Sequence, residues 1–521
     1  MKPKFRKIIS IALALMLTLS LSAPALTAAA ESVNYVPTIM IVGRTKDMDI
    51  YSPDGELLFP LGDSLDTSSI AEAVLHCIPY LGVGMLTGDY EPWVNEFYEA
   101  IAPYYENIIC DENGNLTDKS VETKYDYTNP QKGNHNGCDY VFMYDWRIDP
   151  CDVADYLETY IDNILEATKC EKVGLVGRCY GGSILSAYLY EYGCEKVHSA
   201  VYYVSTSQGA STRASEIFAG KFDLDPVAIE NIFQSDDFVN VYNDLIEDPV
   251  LRELVVATLS LLNSVEAMNI PLEKVTEFVN AVYPELAPKV VPATYGTFAS
   301  IWATVTDEDY EQAKALVFKG QEEKYAGLIE KIDHYHYDIQ VNTVSMLNEL
   351  RSKGMRLGVV VKYNTPTYLP FTPGARLNGD DTVEVVKASF GATAANYGET
   401  LTAEQMANTD PEYISSDHII NAATCAFPEC TWFIKDCIHS NFDGCIDDFN
   451  VAILRSEEQM TVDSDPRYPR FMKYDSQTRT ISPLTDEPTD NSQAGSKQDI
   501  FTKLFNFIKL IIQAIVNLFR G

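Results

Sequence analysis

The sequence predicts an α/β fold, a doubly wound and mostly parallel sheet interrupted by an inserted helical cap. Three observations predict it. Between Thr38 and Val204, short β-branched runs alternate with stretches of helical periodicity, the grammar of parallel strands joined by crossover helices. The strand signal then fades from about Ala210 to Val341, and it returns at Leu357–Val361.

Each element follows from its residues. Thr38–Val42 is a buried-strand run that ends at Gly43, and Tyr140–Met143 is a second. In Asp152–Ala167, Tyr156, Tyr160, Ile161, Ile164 and Leu165 recur at helical spacing. Val173–Val176 reads as a strand, Ile184–Tyr190 as a helix and Ala200–Val204 as the next strand. Val227–Phe233, Leu251–Met268, Leu272–Val282, Glu308–Val317 and Gln321–Lys331 read as helices of the inserted segment. The nearly continuous apolar run Val255–Leu262 suits a core or the lining of an apolar pocket. Val344–Arg351 is a helix, Leu357–Val361 a strand and Thr431–Ile434 a short late strand.

The chain has 521 residues, 46% of them hydrophobic and 22% charged. That composition excludes wholesale disorder, collagen and a polytopic membrane protein. Seventy-five acids face 39 bases, for a formal charge of −36. Such a surface repels phosphate backbones, so nucleic acid is not an expected partner. The organisation expected is a leader over 1–30, a core split between 31–210 and 342–455, and a helical cap over 211–341. An extension and linker over 456–499 and an amphipathic helix over 500–521 complete it.

The ends read as addresses. Lys2, Lys4, Arg6 and Lys7 precede an apolar stretch, Ile8–Leu21, and Ala28-Ala29-Ala30 supplies small residues before Glu31. That is the pattern of a secretory signal, with a retained anchor as the alternative. Export makes the expected location extracellular, in solution or at a membrane surface. In Ile500–Phe519 and the Arg520 that follows it, Lys503, Asn506, Lys509, Gln513, Asn517 and Arg520 fall near one helical face. A stripe of that kind suits a membrane surface or a partner, or packing on its own domain, better than a uniform span.

Eleven cysteines allow five disulfides and one leftover thiol, and spacing does not assign the pairs. Cys425, Cys430, Cys437 and Cys445 lack the short paired knuckle of a zinc site. Asp111-Glu112-Asn113-Gly114-Asn115 has Leu116 where a calcium loop needs glycine, and reads as a turn. No phosphate loop or dinucleotide fingerprint is present, so neither a cofactor nor a metal is expected.

The most informative segment is Val173-Gly174-Leu175-Val176-Gly177-Arg178-Cys179-Tyr180-Gly181-Gly182. A strand, Gly-x-Cys-x-Gly and a helix in that order describe a nucleophile elbow, whose glycines relieve a sharp bend. A helix N-terminus behind the thiol favours its anion. Cys179 is therefore the candidate nucleophile. The backbone N–H of Tyr180 is one candidate oxyanion donor, and the loop after Val42, at Gly43 and Arg44, offers a second. An inert buried cysteine and an elbow that has lost its chemistry are the competing readings.

An acid and then a histidine follow the nucleophile in such chains. Asn378-Gly379-Asp380-Asp381-Thr382-Val383 supplies the acid, with Asp380 ahead of Asp381. Among seven histidines, His439 lies just past the late strand, and His418 is its rival.

These segments resemble the lipase-like α/β-hydrolases, in particular the lecithin–cholesterol acyltransferase-like branch. Phe142-Met143-Tyr144-Asp145-Trp146-Arg147 resembles that branch's Tyr-Asp-Trp-Arg segment, and Gly177–Gly182 its Gly-His-Ser-Met-Gly-Gly elbow. Gly379–Val383 is similar to its acid loop, and His439 falls where its histidine does. The likeness runs from about Pro37 to Ser440, without the cap. Cys179 stands in place of the serine and Arg178 in place of the preceding histidine. The resemblance implies acyl-ester or lipid substrates, handled through a Cys179–His439–Asp380 triad. The alternative is a catalytically inactive binding protein at the cell surface that reuses the fold.

Overall fold

The computed structural model describes residues 35–43, 48–59, 76–77, 80, 83–84, 86–119, 125–228, 272–367 and 371–486. The leader, Arg44, the Leu251–Met268 stretch and the C-terminal amphipathic segment lie outside the described residues.

Eight strands form one sheet: β1 (Thr38–Ile41), β2 (Tyr140–Phe142), β3 (Val173–Arg178), β4 (Val197–Tyr203), β5 (Arg356–Tyr363), β6 (Thr431–Lys435), β7 (Phe471–Asp475) and β8 (Thr480–Pro483). Their order is β8-β7-β6-β5-β4-β3-β1-β2. Every neighbouring pair is parallel except β7–β8. The protein is thus an α/β protein with a large, mostly parallel sheet and flanking helices. The central strands β3 and β6 are buried at every residue, which is why they read as continuous apolar runs rather than alternating ones.

Helices cover both faces. The main ones are α1 (Glu91–Tyr105), α2 (Pro150–Thr168), α3 (Gly181–Tyr192), α4 (Leu272–Val290), α5 (Asp307–Val317), α6 (Ala326–His334), α7 (Thr343–Ser352) and α8 (Gly444–Arg455). Gly174 of β3 faces Leu454 of α8, whereas Gly177, an odd number of residues on, faces the start of α3. Alternating strand positions point to opposite faces, so α3 and α8 lie on opposite sides of the sheet. In α2, Asp149 caps the N-terminus by accepting from the Cys151 N–H at 3.0 Å. The same helix buries Val153, Ala154, Leu157, Tyr160, Ile161 and Ile164, a stripe at i, i+3 and i+4 spacing.

Between β4 and β5, the described residues contain no strand. Their helices carry a second apolar cluster around Trp302, Tyr310, Phe318, Leu328 and Ile332. The segment meets the main body at several points. Tyr335 Oη donates to Ser183 O of α3 at 3.5 Å, and the Ser211 N–H and hydroxyl bond Glu384. Phe298 packs edge-on against Trp146.

Four elements differ from the sequence expectation. The extension after residue 455 carries β7 and β8, which close one edge of the sheet. Half-exposed strands there lack the dense β-branched run that marks the centre. Helix α1 begins at the Glu91-Pro92 step, where proline is tolerated in the first turn. Helix α8 was likewise unmarked by sequence. No disulfide joins any two of the eleven cysteines, all of which lie among the described residues, so none of the five that the count allows is formed. Asp111–Asn115 is a turn closed by the Asp111 N–H to Asn115 O bond of 2.8 Å. No helix among the described residues is long and apolar enough to cross a membrane.

Candidate active site

Strand order places a switch point between β1 and β3. From β1 the chain steps outward to β2, and from β3 it steps the other way to β4. Crevices beyond the carboxyl ends of strands at such points are where open α/β sheets bind ligands. Cys179 sits there, one residue past β3.

The elbow is sterically tight. Cys179 has φ 55°, a left-handed conformation that non-glycine residues adopt at a cost. Its N–H donates to Tyr203 O at 3.0 Å, and its carbonyl accepts from the Gly182 and Thr206 N–H groups at 3.0 and 3.2 Å. Those bonds hold the strained residue in place. A Cβ on Gly181 would stand 2.2 Å from Ile41 O, so only glycine lets α3 start against β1. Gly43, just beyond β1, is nearly as close. A Cβ there would lie 2.7 Å from Cys179 Cβ and 3.2 Å from its Sγ. The Tyr180 N–H has no backbone carbonyl partner among the described residues.

Asp380 and His439 come together. His439 Nδ1 lies 2.8 Å from Asp380 Oδ2. Asp380 Oδ1 accepts from the Thr382 and Val383 N–H groups at 3.1 and 2.7 Å. The His439 N–H donates to Asp380 O at 2.7 Å, so backbone and side chain register the two loops together. With Nδ1 engaged, the remaining ring nitrogen is left for Cys179, to which His439 is hydrogen-bonded. Burial by itself lowers the His439 pKa. The charges of Asp380 and then Cys179 outweigh it and raise the imidazole to about 10. Asp380 and His439 are buried, while Cys179 retains partial exposure.

The neighbouring acid Asp381 adopts φ 79° and accepts from its own neighbour, the Thr382 hydroxyl, at 2.6 Å. It does not take the imidazole nitrogen. His418 lines a separate cavity of about 850 Å³ with Pro411, Arg470 and Leu484, a cavity to which Cys179, Asp380 and His439 contribute nothing.

Three features around the site have structural roles that the sequence reading did not assign. Lys362, on β5, is 1% exposed and donates to the carbonyls of Ile438, His439 and Asn441 at 3.1, 3.2 and 2.5 Å. It clamps the loop that carries the histidine. A lone lysine ending the apolar run Val359-Val360-Val361 was the signal that could have found it. Arg178 stacks over Phe442 at 3.9 Å, with Lys362 Nζ 5.0 Å from the same ring. Behind them, burial pushes the Asp447 carboxyl up to about 7, against the opposing charges of Arg178 and Lys362. Third, the Tyr144–Arg147 segment braces the β1 loop. Tyr144 Oη donates to Val42 O at 2.6 Å and Trp146 Nε1 to Met48 O at 3.2 Å. Arg147 holds Asp145 through Nε at 2.9 Å and Nη2 at 2.5 Å, both side chains being buried.

The fold and site therefore define an α/β protein with a strained cysteine at a strand-to-helix turn, backed by a histidine and an aspartate. No family model, no curated protein and no solved structure matches the chain.

Proposed function

We propose that the chain is an exported enzyme of the lipase-like α/β-hydrolase type, acting on an acyl ester or lipid through Cys179, His439 and Asp380. One observation carries the reading. A cysteine at positive φ on the strand-to-helix turn is hydrogen-bonded to a histidine whose Nδ1 meets a buried aspartate at 2.8 Å. Nucleophile, base and orienting acid are thus in contact and in the chain order of this type of enzyme.

The chemistry follows from the contacts. A raised imidazole pKa beside a thiol favours the thiolate–imidazolium pair, since each charge stabilises the other. The Cys179 sulfur attacks the ester carbonyl carbon, and the carbonyl electrons move onto oxygen. The Tyr180 N–H, with a second donor from the loop at Gly43 and Arg44, stabilises that oxyanion. The C–O bond to the leaving alcohol breaks, and His439 gives the alcohol its proton. The thioester left on Cys179 is resolved by water or an acceptor alcohol. His439 takes the proton of that attacking group, and the C–S bond breaks to restore the thiolate. Asp380 keeps the tautomer and orientation of His439 throughout.

The helical segment between β4 and β5 reaches both sides of this constellation. Its Tyr335 touches Ser183, four residues past Cys179, and its Ser211 holds Glu384, four past Asp380. In this reading it is a lid that excludes water and selects the acyl chain. The C-terminal amphipathic segment brings the enzyme to a lipid surface or a partner.

Intact-mass spectrometry after incubation with activated esters of varied chain length tests the reading. The expected result is a single acyl adduct on Cys179, absent in Cys179→Ala and slowed in His439→Ala. No adduct at any chain length, with iodoacetamide labelling other thiols in preference to Cys179, would overturn it.

A further inference from the structure

A second cluster of chemistry-bearing side chains lies away from the triad. Cys151 in the first turn of α2, Glu191 near the end of α3 and His334 at the end of α6 converge. A thiol sulfur, a carboxylate oxygen and an imidazole nitrogen there all lie within 4.8 Å of one another. Glu191 is ten residues past the start of α3, about 15 Å along the helix axis from the elbow. The cluster therefore stands apart from the reading of Cys179.

The imidazole is oriented as a ligand. His334 Nε2 points at Glu191 Oε1 at 3.3 Å, while Nδ1 is held by Asp338 Oδ2 at 2.8 Å. Metal-binding histidines give their other ring N–H to a carboxylate in this way, which sets the tautomer and ring direction. The spacing also fits. Two ligands on bonds of about 2.0–2.1 Å at a tetrahedral angle sit about 3.3 Å apart, the separation of Nε2 and Oε1. A sulfur on a bond of about 2.3 Å would stand about 3.6 Å from each. Cys151 Sγ lies within 4.8 Å of both.

The surroundings are anionic. Asp149, Asp152, Glu191 and Asp338 act on the cluster. Lys331, whose charge acts on Asp149, is engaged by Asp152 and Asn115 at 3.1 and 3.0 Å. A thiolate, an imidazole and a carboxylate together select a borderline-soft divalent ion over calcium or magnesium.

We propose that Cys151, Glu191 and His334 bind one zinc-class divalent cation, with water in the fourth position. The ion joins α6 of the inserted helical segment to α2 and α3, the helices on either side of β3. Because the three ligands come from three helices, it fastens that segment to the sheet only in the folded chain. Binding to the folded state alone stabilises it by mass action.

The test uses the full chain carrying Cys179→Ala, reduced, stripped with chelator and titrated with Co²⁺ alone. One equivalent should bind, with a thiolate-to-cobalt charge-transfer band and the intense visible bands of four-coordinate cobalt. Zn²⁺ should displace it and raise the melting temperature. Cys151→Ser should abolish the charge-transfer band, and Asp338→Asn should weaken binding roughly 10–100-fold. If no such band develops in folded protein, or if it survives in Cys151→Ser, the proposal falls. Should Cys151→Ser fail to fold, His334→Ala decides: undiminished cobalt affinity there overturns the site.

Discussion

Lys362 is the residue whose replacement tests the architecture of the site most directly. Lys362→Met keeps an unbranched apolar stem and removes the ammonium that bonds three carbonyls of the histidine loop. A hydrogen bond to a charged group contributes about 1.5–3 kcal/mol, so three amount to about 5–9 kcal/mol. Against that stands the cost of burying an ammonium, several kcal/mol even after relaxation. The difference leaves a net destabilisation of about 2–4 kcal/mol. The loop loses its anchor on β5 and His439 shifts relative to Cys179. Misplacements of about 1 Å near reacting groups cost on the order of 100-fold. Urea unfolding should therefore show an earlier midpoint, and iodoacetamide should label Cys179 at least tenfold more slowly. A Lys362→Met protein with wild-type midpoint and wild-type labelling rate would refute the clamp.

Other expectations are simpler. Asp380→Asn removes the charge that raises the His439 pKa, so the pH profile of Cys179 alkylation should move upward, with a slower rate at neutral pH. Because the His439 pKa stands at about 10, above its ordinary 6.5, its contribution to stability is fully present below about pH 6.5. That contribution is lost as pH rises through about 10. Urea melts should weaken across this window in the parent and less so in His439→Gln. Gly181→Ala forces a Cβ to within 2.2 Å of the Ile41 carbonyl. It should cost about 3 kcal/mol in urea unfolding; a neutral effect would contradict the tight elbow. Tyr144→Phe removes the 2.6 Å bond to Val42 O. It should cost about 1 kcal/mol by the same assay and loosen the loop beside Cys179, read as faster proteolysis near Gly43.

The sequence alone determined what depends on local sterics and periodicity. Strands β1, β3, β4 and β5 were legible because both faces of the central sheet are buried, so their side chains are apolar at consecutive positions. The elbow was legible because a left-handed residue wedged between strand and helix demands glycines at fixed offsets. The chain order of Cys179, Asp380 and His439 was legible because Cys179 and His439 each follow closely on a strand, with the acidic loop of Asp380 lying between them. Tertiary structure alone decided the rest, through contacts between residues far apart in the chain. It chose Asp380 over Asp381, because only Asp380 turns an oxygen to the imidazole while its other oxygen is held by two N–H groups. It recruited β7 and β8, whose half-exposed residues carry no strong pattern of their own. It set Lys362 beneath the histidine loop and gathered Cys151, Glu191 and His334 at one point. A side chain's chemistry is written in its residue type, but its partners are set by the sheet order and helix packing that bring distant segments within a few ångströms.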